Sequence, residues 1–371
     1  MSTWFDEYIP RHVQHLDVYQ PGKPIEELER ELGISGALKV ASNENPLGPS
    51  PKALAALPAA LSGLHLYPDA GGFALRRKLA EKFALGVDQF SLGNGSNDLL
   101  YQLVLASCDP DDEVLSHELA FLSYRLSAQV AGRTFVAAKI TKDLSCDVDA
   151  LIAAMTPKTK LVVVGSPNNP TGSVITKADA AKLLAALPAR ALLVIDEAYA
   201  EYASAWPEID HVDGFELLRK DRRVVVLRTF SKIYGLAGIR VGYAAGDKAV
   251  LDVLGRVGRT FHVSSLAQIA AIAALDDDAH LQASAKLARA CIERFRAEIS
   301  APGVRLFPSL TNFILIDVGR PAGAIYDALL RRGVIVRPMA AWGLPTAIRI
   351  SVAKESEQKR VIDTVNDVLR A

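Results

Sequence analysis

The sequence is poor in cysteine and has no excess charge of either sign. Its 371 residues include only Cys108, Cys146 and Cys291, and 42 Lys and Arg balance 42 Asp and Glu. Three widely spaced thiols argue against a disulfide framework or a cysteine-based zinc site, and they are typical of a reducing cytoplasm. The charge balance disfavours a nucleic-acid-binding or membrane-binding surface, because both need a basic excess. The charge balance does not exclude a small local anion-binding site.

Long apolar runs and an apolar leader are also missing. No uncharged run approaches the roughly 20 apolar residues of a transmembrane helix, and residues 1–15 lack the apolar segment of a signal peptide. The pair His12 and His15 has no matching acid or cysteine, and no GxSxG motif is present, so metal and serine catalysis fit poorly. We expect a soluble cytoplasmic protein with no metal, of two or three domains at roughly 150 residues each.

Short apolar runs alternate with helical patterns through the middle of the chain. LVVVGS (161–166) and ALLVIDE (191–197) are continuous, which is typical of strands buried on both faces of a parallel sheet. This β-α-β pattern predicts an α/β domain whose mainly parallel sheet is flanked by helices. From about Ser264, helices beside a few strands predict a smaller α+β domain. The predicted parts are an N-terminal arm (1–35) packing with the small domain, a large domain (36–263) and a small C-terminal domain (264–371).

Polar side chains follow three of the predicted strands. Asn169 lies in SPNNPTG, Asp196 and Tyr199 lie in DEAY, and Ser231 and Lys232 lie in TFSK. Ligands of open α/β sheets bind beyond the carboxyl ends of strands, so we expect these groups to meet. Each has a structural alternative: a tight turn for SPNNPTG, a helix cap for Asp196 and a solvated surface position for Lys232. Their joint occurrence at one sheet edge favours a binding site.

A glycine-rich turn, GNGSND (93–98), runs into the apparent helix DLLYQLVLA. Backbone N–H groups at a helix N-terminus suit a phosphate. The motif is neither a P-loop nor a dinucleotide fingerprint, since Asp98 stands where the third glycine would be. A helix-capping turn is the alternative.

Taken in order, the motifs SNENP, YPD, GNGSND, SPNNPTG, DEAY and TFSKIYGLAGIRVGY resemble those of the fold-type I pyridoxal-phosphate aminotransferases. The resemblance runs from DVYQPGKP, which begins at residue 17, to AIRIS, which ends at residue 351. The segments DVYQPGKP and GVIVRPM, with the later GLP and IRIS, point more weakly to the histidinol-phosphate aminotransferase branch. The resemblance implies an aspartate-aminotransferase-like fold, pyridoxal 5′-phosphate as cofactor, and a homodimer acting on a small-molecule amino donor and a 2-oxo acid.

The resemblance also implies roles around the cofactor ring. Lys232 matches the lysine that holds the cofactor aldehyde as a Schiff base and moves a proton, and Asp196 matches the acid that keeps the ring nitrogen protonated. Tyr199 and Asn169 match residues that hydrogen-bond the ring's 3-oxygen. Phe121 matches the aromatic that stacks on the ring, although core packing would explain it equally well. Lys232, Asp196 and Tyr199 are the expected catalytic residues.

Residues that match the phosphate site of the cofactor supply backbone amides, hydroxyls and one guanidinium, a donor set that suits a dianion. They are Gly95, Ser96, Asn97, Thr229, Ser231 and Arg240. Tyr67, in YPD, matches a tyrosine that reaches the phosphate of the neighbouring subunit's cofactor, which would make the active site depend on a homodimer. A surface Tyr-Pro turn is the alternative for Tyr67.

The implied substrate site contains two arginines. Arg349 matches the arginine that binds the substrate α-carboxylate, Arg337 matches one used for substrate phosphate, and Tyr19 matches a phenol that closes over that group. Asn43 and Asn169 complete the expected set. One pocket must accept either a phosphate ester or a carboxylate, and two arginines fit that requirement. A salt bridge at a domain edge is the alternative for Arg337.

These matches predict an aminotransferase of histidine biosynthesis that interconverts L-histidinol phosphate and 2-oxoglutarate with imidazole-acetol phosphate and L-glutamate. The family's usual Pro-Thr before the stacking aromatic is Leu119-Ala120 here, which weakens the substrate assignment. An aromatic amino-acid aminotransferase and, more distantly, a phospho-amino-acid decarboxylase are the alternatives. A non-catalytic regulator on this fold usually has an additional DNA-binding domain, for which the motifs leave no room.

Overall fold

The structure is a computed structural model that describes residues 7–14, 16 and 22–371. The helices of these residues are α1 Arg11–Gln14, α2 Ile25–Leu32, α3 Pro51–Ala60, α4 Phe73–Phe83, α5 Ser96–Ser107, α6 Leu122–Val130, α7 Val148–Ala153, α8 Lys177–Ala186, α9 Ala200–Ala203, α10 Gly214–Leu218, α11 Lys248–Val257, α12 Ser265–Ala274, α13 Asp278–Glu298, α14 Ala322–Arg331 and α15 Glu355–Arg370. The strands are β1 Leu38–Lys39, β2 Phe90–Gly93, β3 Glu113–His117, β4 Thr134–Ala138, β5 Thr159–Gly165, β6 Leu192–Asp196, β7 Val224–Thr229, β8 Gly242–Ala245, β9 Arg305–Leu306, β10 Phe313–Asp317, β11 Val334–Ile335, β12 Arg337–Pro338 and β13 Ala347–Ser351.

The larger sheet has seven strands in the order β2-β8-β7-β6-β5-β3-β4. All neighbours from β7 to β4 run parallel, whereas β8 is antiparallel to both β7 and β2. The carboxyl ends of β5, β6 and β7 therefore lie side by side at one edge. The mainly parallel sheet predicted from the continuous apolar runs is confirmed.

Alternate residues of one strand enter two different parts of the core. Leu161 and Val163 of β5 pack with one apolar cluster, and Val162 and Val164 pack with another. All four are inaccessible to solvent. Because helices cover both faces of the sheet, neither face of β5 needs polar residues, and this explains its continuous apolar sequence.

The C-terminal part of the chain contains a four-stranded antiparallel sheet in the order β12-β13-β10-β9. Strand β1 forms a separate parallel pair with β11, so residues 38–39 join the C-terminal part although the sequence placed them in the large domain. Helix α12 packs mainly against α3, on the other side of the predicted boundary at residue 264. The three-part division itself stays a prediction.

Two further observations concern membranes and metals. None of the helices in the described ranges combines the length and the apolar character needed to cross a bilayer. Within the same ranges, His, Cys, Asp and Glu side chains form no group of three or more that could hold a metal ion.

Candidate active site

A cavity of about 240 Å³ lies where β5, β6 and β7 end. Most of the residues predicted to bind cofactor or substrate line it. They are Asn43, Ser96, Asn97, Phe121, Asn169, Asp196, Tyr199, Thr229, Ser231, Lys232, Arg240, Arg337 and Arg349. The sheet brings these residues together because parallel neighbours place the loops after their carboxyl ends at a common edge.

Asp196 is the last residue of β6 and is 8% exposed. Its Oδ2 accepts a hydrogen bond from the Tyr124 hydroxyl at 2.9 Å, and its Oδ1 accepts one from the Ala198 backbone N–H at 3.2 Å. Burial raises the pKa of Asp196 to about 6, against the opposing effect of these two donors. The following helix, α9, begins after Tyr199 and has no side-chain cap, so Asp196 does not cap it.

Lys232 lies beyond the end of β7 and is partly buried, with Nζ 5.6 Å from the centre of the Tyr199 ring. The Tyr199 hydroxyl accepts a hydrogen bond from Asn43 Nδ2 at 2.9 Å and a longer one from Asn169 Nδ2 at 3.5 Å. Asn43 also accepts a bond from the Ser351 hydroxyl at 3.0 Å. The phenol is thus held beside the amine from two sides of the cavity.

The start of α5 lies beside the hydroxyls and the guanidinium that are expected to bind a phosphate. Gly95 precedes the helix with φ +93°, where a side chain is strained, and an added Cβ would lie 2.6 Å from Arg240 Nη2. Arg240 Nη1 donates to the Ser231 hydroxyl at 3.1 Å, and Thr229 Oγ1 donates to the same oxygen at 3.0 Å. Ser96 and these three side chains line one side of the cavity. A helix N-terminus, two hydroxyls and a guanidinium fit a phosphate dianion.

Arg337 and Arg349 are direct partners across the antiparallel strands β12 and β13. Directly opposite residues project from the same face of a sheet, and both side chains line the cavity. Arg349 is 5% exposed and donates to Asn169 Oδ1 and, at 2.9 Å, to the Ala41 carbonyl. The Arg337 guanidinium lies 5.4 Å from the centre of the Trp342 ring.

Two of the predicted residues that the structure describes do not line the cavity. Gly95 shapes the turn behind Ser96 without facing the cavity. Tyr67 is 82% exposed and stacks on Phe261, with 4.7 Å between ring centres. Tyr19 lies outside the described residues, so its expected role stays a prediction.

Sequence reasoning missed Tyr124, Trp342, Ala41 and Ser351. Tyr124 follows Phe121 by three residues at the start of α6, a spacing that places both on one helix face. That spacing was the available signal for Tyr124. The contacts of Ala41 and Ser351 join residues 308 positions apart, so no local pattern marks them.

Comparison with known proteins shows the family to which this sheet and its cavity belong. The family model "Aminotransferase class I and II" matches residues 35–365. The chain belongs to this family. The predicted family, the aspartate-aminotransferase-like fold and the transaminase class are confirmed.

Named relatives are similar over nearly the whole chain. "Histidinol-phosphate aminotransferase 2" of Pseudomonas aeruginosa is 46% identical over 96% of each sequence, and the protein of the same name from Pasteurella multocida is 43% identical over 96% of this chain and 97% of its own. The solved histidinol-phosphate aminotransferase of Sinorhizobium meliloti, in complex with pyridoxal-5′-phosphate, is 29% identical, with TM-score 0.87 and 97% of each chain covered. A double mutant of Thermus thermophilus aspartate aminotransferase is 25% identical, with TM-score 0.84, and covers 97% of this chain and 99% of its own.

Proposed function

We propose that this protein is a pyridoxal-phosphate-dependent aminotransferase that interconverts L-histidinol phosphate and 2-oxoglutarate with imidazole-acetol phosphate and L-glutamate. The observation that carries the proposal is the pairing of Arg337 and Arg349 across β12 and β13, facing the same cavity as Lys232. This pairing gives one pocket two fixed cations, as a phosphate monoester or a dicarboxylate requires.

The cavity residues fit the cofactor at each of its functional groups. Lys232 would hold the aldehyde carbon, Asp196 the ring nitrogen, and Tyr199 with Asn169 the 3-oxygen. Phe121 would stack on the ring. The phosphate would be bound by the remaining donors, which are Gly95, Ser96, Asn97, Thr229, Ser231 and Arg240. When bound, the cofactor supplies a protonated ring that withdraws electrons from the substrate Cα.

The chain's own groups then handle charge and protons. Asp196 is mostly ionised at neutral pH, because its pKa of about 6 is below that pH, and its carboxylate favours a protonated ring nitrogen. Lys232 Nζ, which has the Tyr199 ring beside it, would take the proton from the substrate Cα. Asn43 and Asn169 orient the Tyr199 hydroxyl by hydrogen bonds.

Substrate selection would rest on the two arginines. Arg349 is buried and oriented by Asn169 and Ala41, so it presents a fixed fork to a carboxylate or phosphate. Arg337 adds the second cation. The phosphate of histidinol phosphate is a dianion with three terminal oxygens, which would serve both arginines, whereas the single carboxylate of an aromatic amino acid is a monoanion with two. The loss of one hydrogen bond to a charged group would disfavour the aromatic amino acid by about 1.5–3 kcal/mol.

A half-reaction assay tests the function. Purified holoenzyme is mixed separately with histidinol phosphate, glutamate and phenylalanine, and the absorbance of the lysine-bound cofactor is followed. We expect rapid bleaching by the first two. Rapid bleaching by phenylalanine but not by histidinol phosphate would favour the aromatic aminotransferase. Lys232→Ala should remove the absorbance band, and a persisting band would refute the assignment of Lys232.

A matched pair of variants tests the arginine pocket. Arg337→Leu should raise KM for histidinol phosphate about 10- to 100-fold, the effect of one charge-assisted hydrogen bond, with a smaller change for phenylalanine. Arg331→Leu removes the same charge from the exposed end of α14 and should leave KM unchanged. Equal effects of Arg337→Leu on both substrates would contradict the role of Arg337.

We also propose a cytoplasmic homodimer in which Tyr67 reaches the phosphate of the partner's cofactor. Tyr67 belongs to a group of exposed apolar residues that are close in sequence, with exposed fractions of 52% to 82%. The residues of this group are Leu61, Leu64, Leu66, Tyr67 and Phe73. Large apolar side chains exposed in this number are typical of an interface. Sedimentation equilibrium tests it: the chain should be dimeric, and Leu64→Glu should weaken the dimer.

Hybrid dimers test whether Tyr67 acts across the interface. Lys232→Ala and Tyr67→Ala homodimers should each be impaired. If Tyr67 serves the neighbouring site, mixing the two and allowing subunit exchange forms dimers with one unmodified site, and activity should recover. No recovery beyond the sum of the parent dimers, despite demonstrated exchange, would place Tyr67 outside the partner's site.

A further inference from the structure

Tyr124 is a fully buried phenol in direct contact with Asp196. Its hydroxyl donates to Asp196 Oδ2 at 2.9 Å, and its residue exposure is 1%. Its ring meets the Phe121 ring edge-on, with centres 5.9 Å apart and an interplanar angle of 85°. One side chain therefore contacts both the residue expected beside the cofactor's ring nitrogen and the residue expected over its face.

The Tyr124 hydrogen bond completes the fixation of the Asp196 carboxylate. Oδ1 already accepts the Ala198 backbone N–H at 3.2 Å, so both oxygens have a donor and rotation of the carboxylate would break both bonds. Burial and the neighbouring Asp196 charge raise the pKa of Tyr124 well above its usual value, which keeps the phenol protonated as a donor. The same hydrogen bond lowers the pKa of Asp196 and so opposes the effect of burial on the carboxylate.

The neighbouring strand leaves room for this hydroxyl. Gly165, at the end of β5, is the register partner of Asp196 on β6. A Cβ added to Gly165 would lie 3.0 Å from the Tyr124 hydroxyl oxygen. A larger residue at position 165 would crowd the hydroxyl that contacts Asp196, and also Asn168 Oδ1 at 3.2 Å, so one of these groups would have to shift.

We propose that Tyr124 is a positioning residue that holds Asp196 ionised and oriented toward the ring nitrogen of the cofactor. The inference rests on the proposed function, because in that function Asp196 would hold the ring nitrogen of the cofactor. Tyr124 acts only through Asp196 and touches no reacting atom. Its effect is therefore specific to the ring nitrogen, whereas a packing role through Phe121 would affect any ring of the same shape.

The test compares two ligands in equilibrium titrations of the apoenzyme. One is pyridoxal phosphate, and the other is its analogue in which a carbon replaces the ring nitrogen, with the aldehyde and phosphate retained. The wild-type protein should prefer pyridoxal phosphate. Tyr124→Phe keeps the ring and removes the hydroxyl, and it should reduce this preference about tenfold, the effect of one hydrogen bond to a charged group, with little change for the analogue.

The pH dependence of the same titrations gives a second readout. The preference for pyridoxal phosphate requires ionised Asp196, so it should fall as the pH drops through the pKa of that group. Without the Tyr124 hydroxyl the pKa of Asp196 rises further, and the fall in Tyr124→Phe should occur at higher pH. An unshifted profile, or equal weakening of both ligands, would assign Tyr124 to packing and overturn the proposal.

Two further variants complete the design. Tyr243→Phe removes a buried phenol hydroxyl from β8, where Tyr243 is the register partner of Arg228, and should retain the wild-type preference. Gly165→Ala retains the phenol and crowds its hydroxyl, so it should lower the preference for pyridoxal phosphate over the analogue. This variant provides the test if Tyr124→Phe does not fold. If the wild-type protein shows no preference between the two ligands, the role of Asp196 in the proposed function is refuted. If both Tyr124→Phe and Gly165→Ala retain the wild-type preference, only the inference on Tyr124 is refuted.

Discussion

The buried carboxylate of Asp196 should make the apoenzyme less stable than a neutral residue would. Its pKa is raised to about 6, against about 3.9 for Asp in an unfolded chain. For a group with a raised pKa, the stabilising contribution is fully present below the unfolded value and is lost as the pH rises through the folded value. Ionised Asp196 therefore destabilises the folded apoenzyme above about pH 6, and Asp196→Asn should relieve this.

The magnitude follows from the size of the pKa shift. Two pKa units correspond to about 3 kcal/mol at about 1.36 kcal/mol per unit. Asn has one acceptor oxygen for the two donors Tyr124 and Ala198. The donor left without an acceptor costs about 1 kcal/mol, which is subtracted from the gain of about 3 kcal/mol. We expect Asp196→Asn to raise the free energy of unfolding by about 2 kcal/mol at pH 8, or the melting temperature by roughly 2–4 °C.

Thermal unfolding of the apoenzyme between pH 4 and pH 8 measures the effect. The difference between Asp196→Asn and wild type should grow from about pH 4 to pH 6 and be constant above pH 7, while transaminase activity of the variant is lost. Asp221→Asn is a control of opposite sign: hydrogen bonds from Arg223 lower the pKa of Asp221, so its contribution is present at neutral pH and is lost as the pH falls. A destabilised Asp196→Asn at pH 8 would refute the reasoning.

Two other substitutions have effects that follow from close contacts. Gly95→Ala should lower the affinity of the apoenzyme for pyridoxal phosphate at least about tenfold. The new Cβ would lie 2.6 Å from Arg240 Nη2, at a residue with positive φ. Unchanged affinity in a fluorescence titration would contradict the assignment of this turn to the cofactor phosphate. Arg228→Met should lower the free energy of unfolding in urea by about 3–5 kcal/mol. It leaves the buried Glu197 and the partly buried Glu201 without the guanidinium that lies 2.7 and 3.4 Å from them. A loss below about 1 kcal/mol would contradict this.

The larger sheet was predictable because its strands are buried on both faces. The continuous apolar runs at β5 and β6 have no polar position that could face water, and the residues after them are polar because they lie at the edge where the sheet ends. Asn169, Asp196 and Lys232 could be assigned to one site from this pattern. The domain boundaries were less accessible, because the pairing of β1 with β11 depends on partners far apart in the chain.

The strand register of the four-stranded sheet also could not be predicted from local sequence patterns. Arg337 and Arg349 belong to different strands, and only the antiparallel pairing of β12 with β13 makes them direct neighbours. Ser351 contacts Asn43 across 308 positions of sequence. These contacts follow from how the two parts of the chain pack, and packing energies are spread over many residues that carry no individual signal.

The sequence by itself determined the family, the buried sheet and the chemical groups at the strand ends, because each of these depends on residue types at short spacing. The tertiary structure alone decided what surrounds those groups. Asp196 acquires a raised pKa only when it is enclosed by the core, and Tyr124 reaches it only because α6 approaches β6 where the adjacent strand has Gly165. Desolvation and hydrogen-bond geometry depend on distances in space, which the order of residues along the chain does not specify.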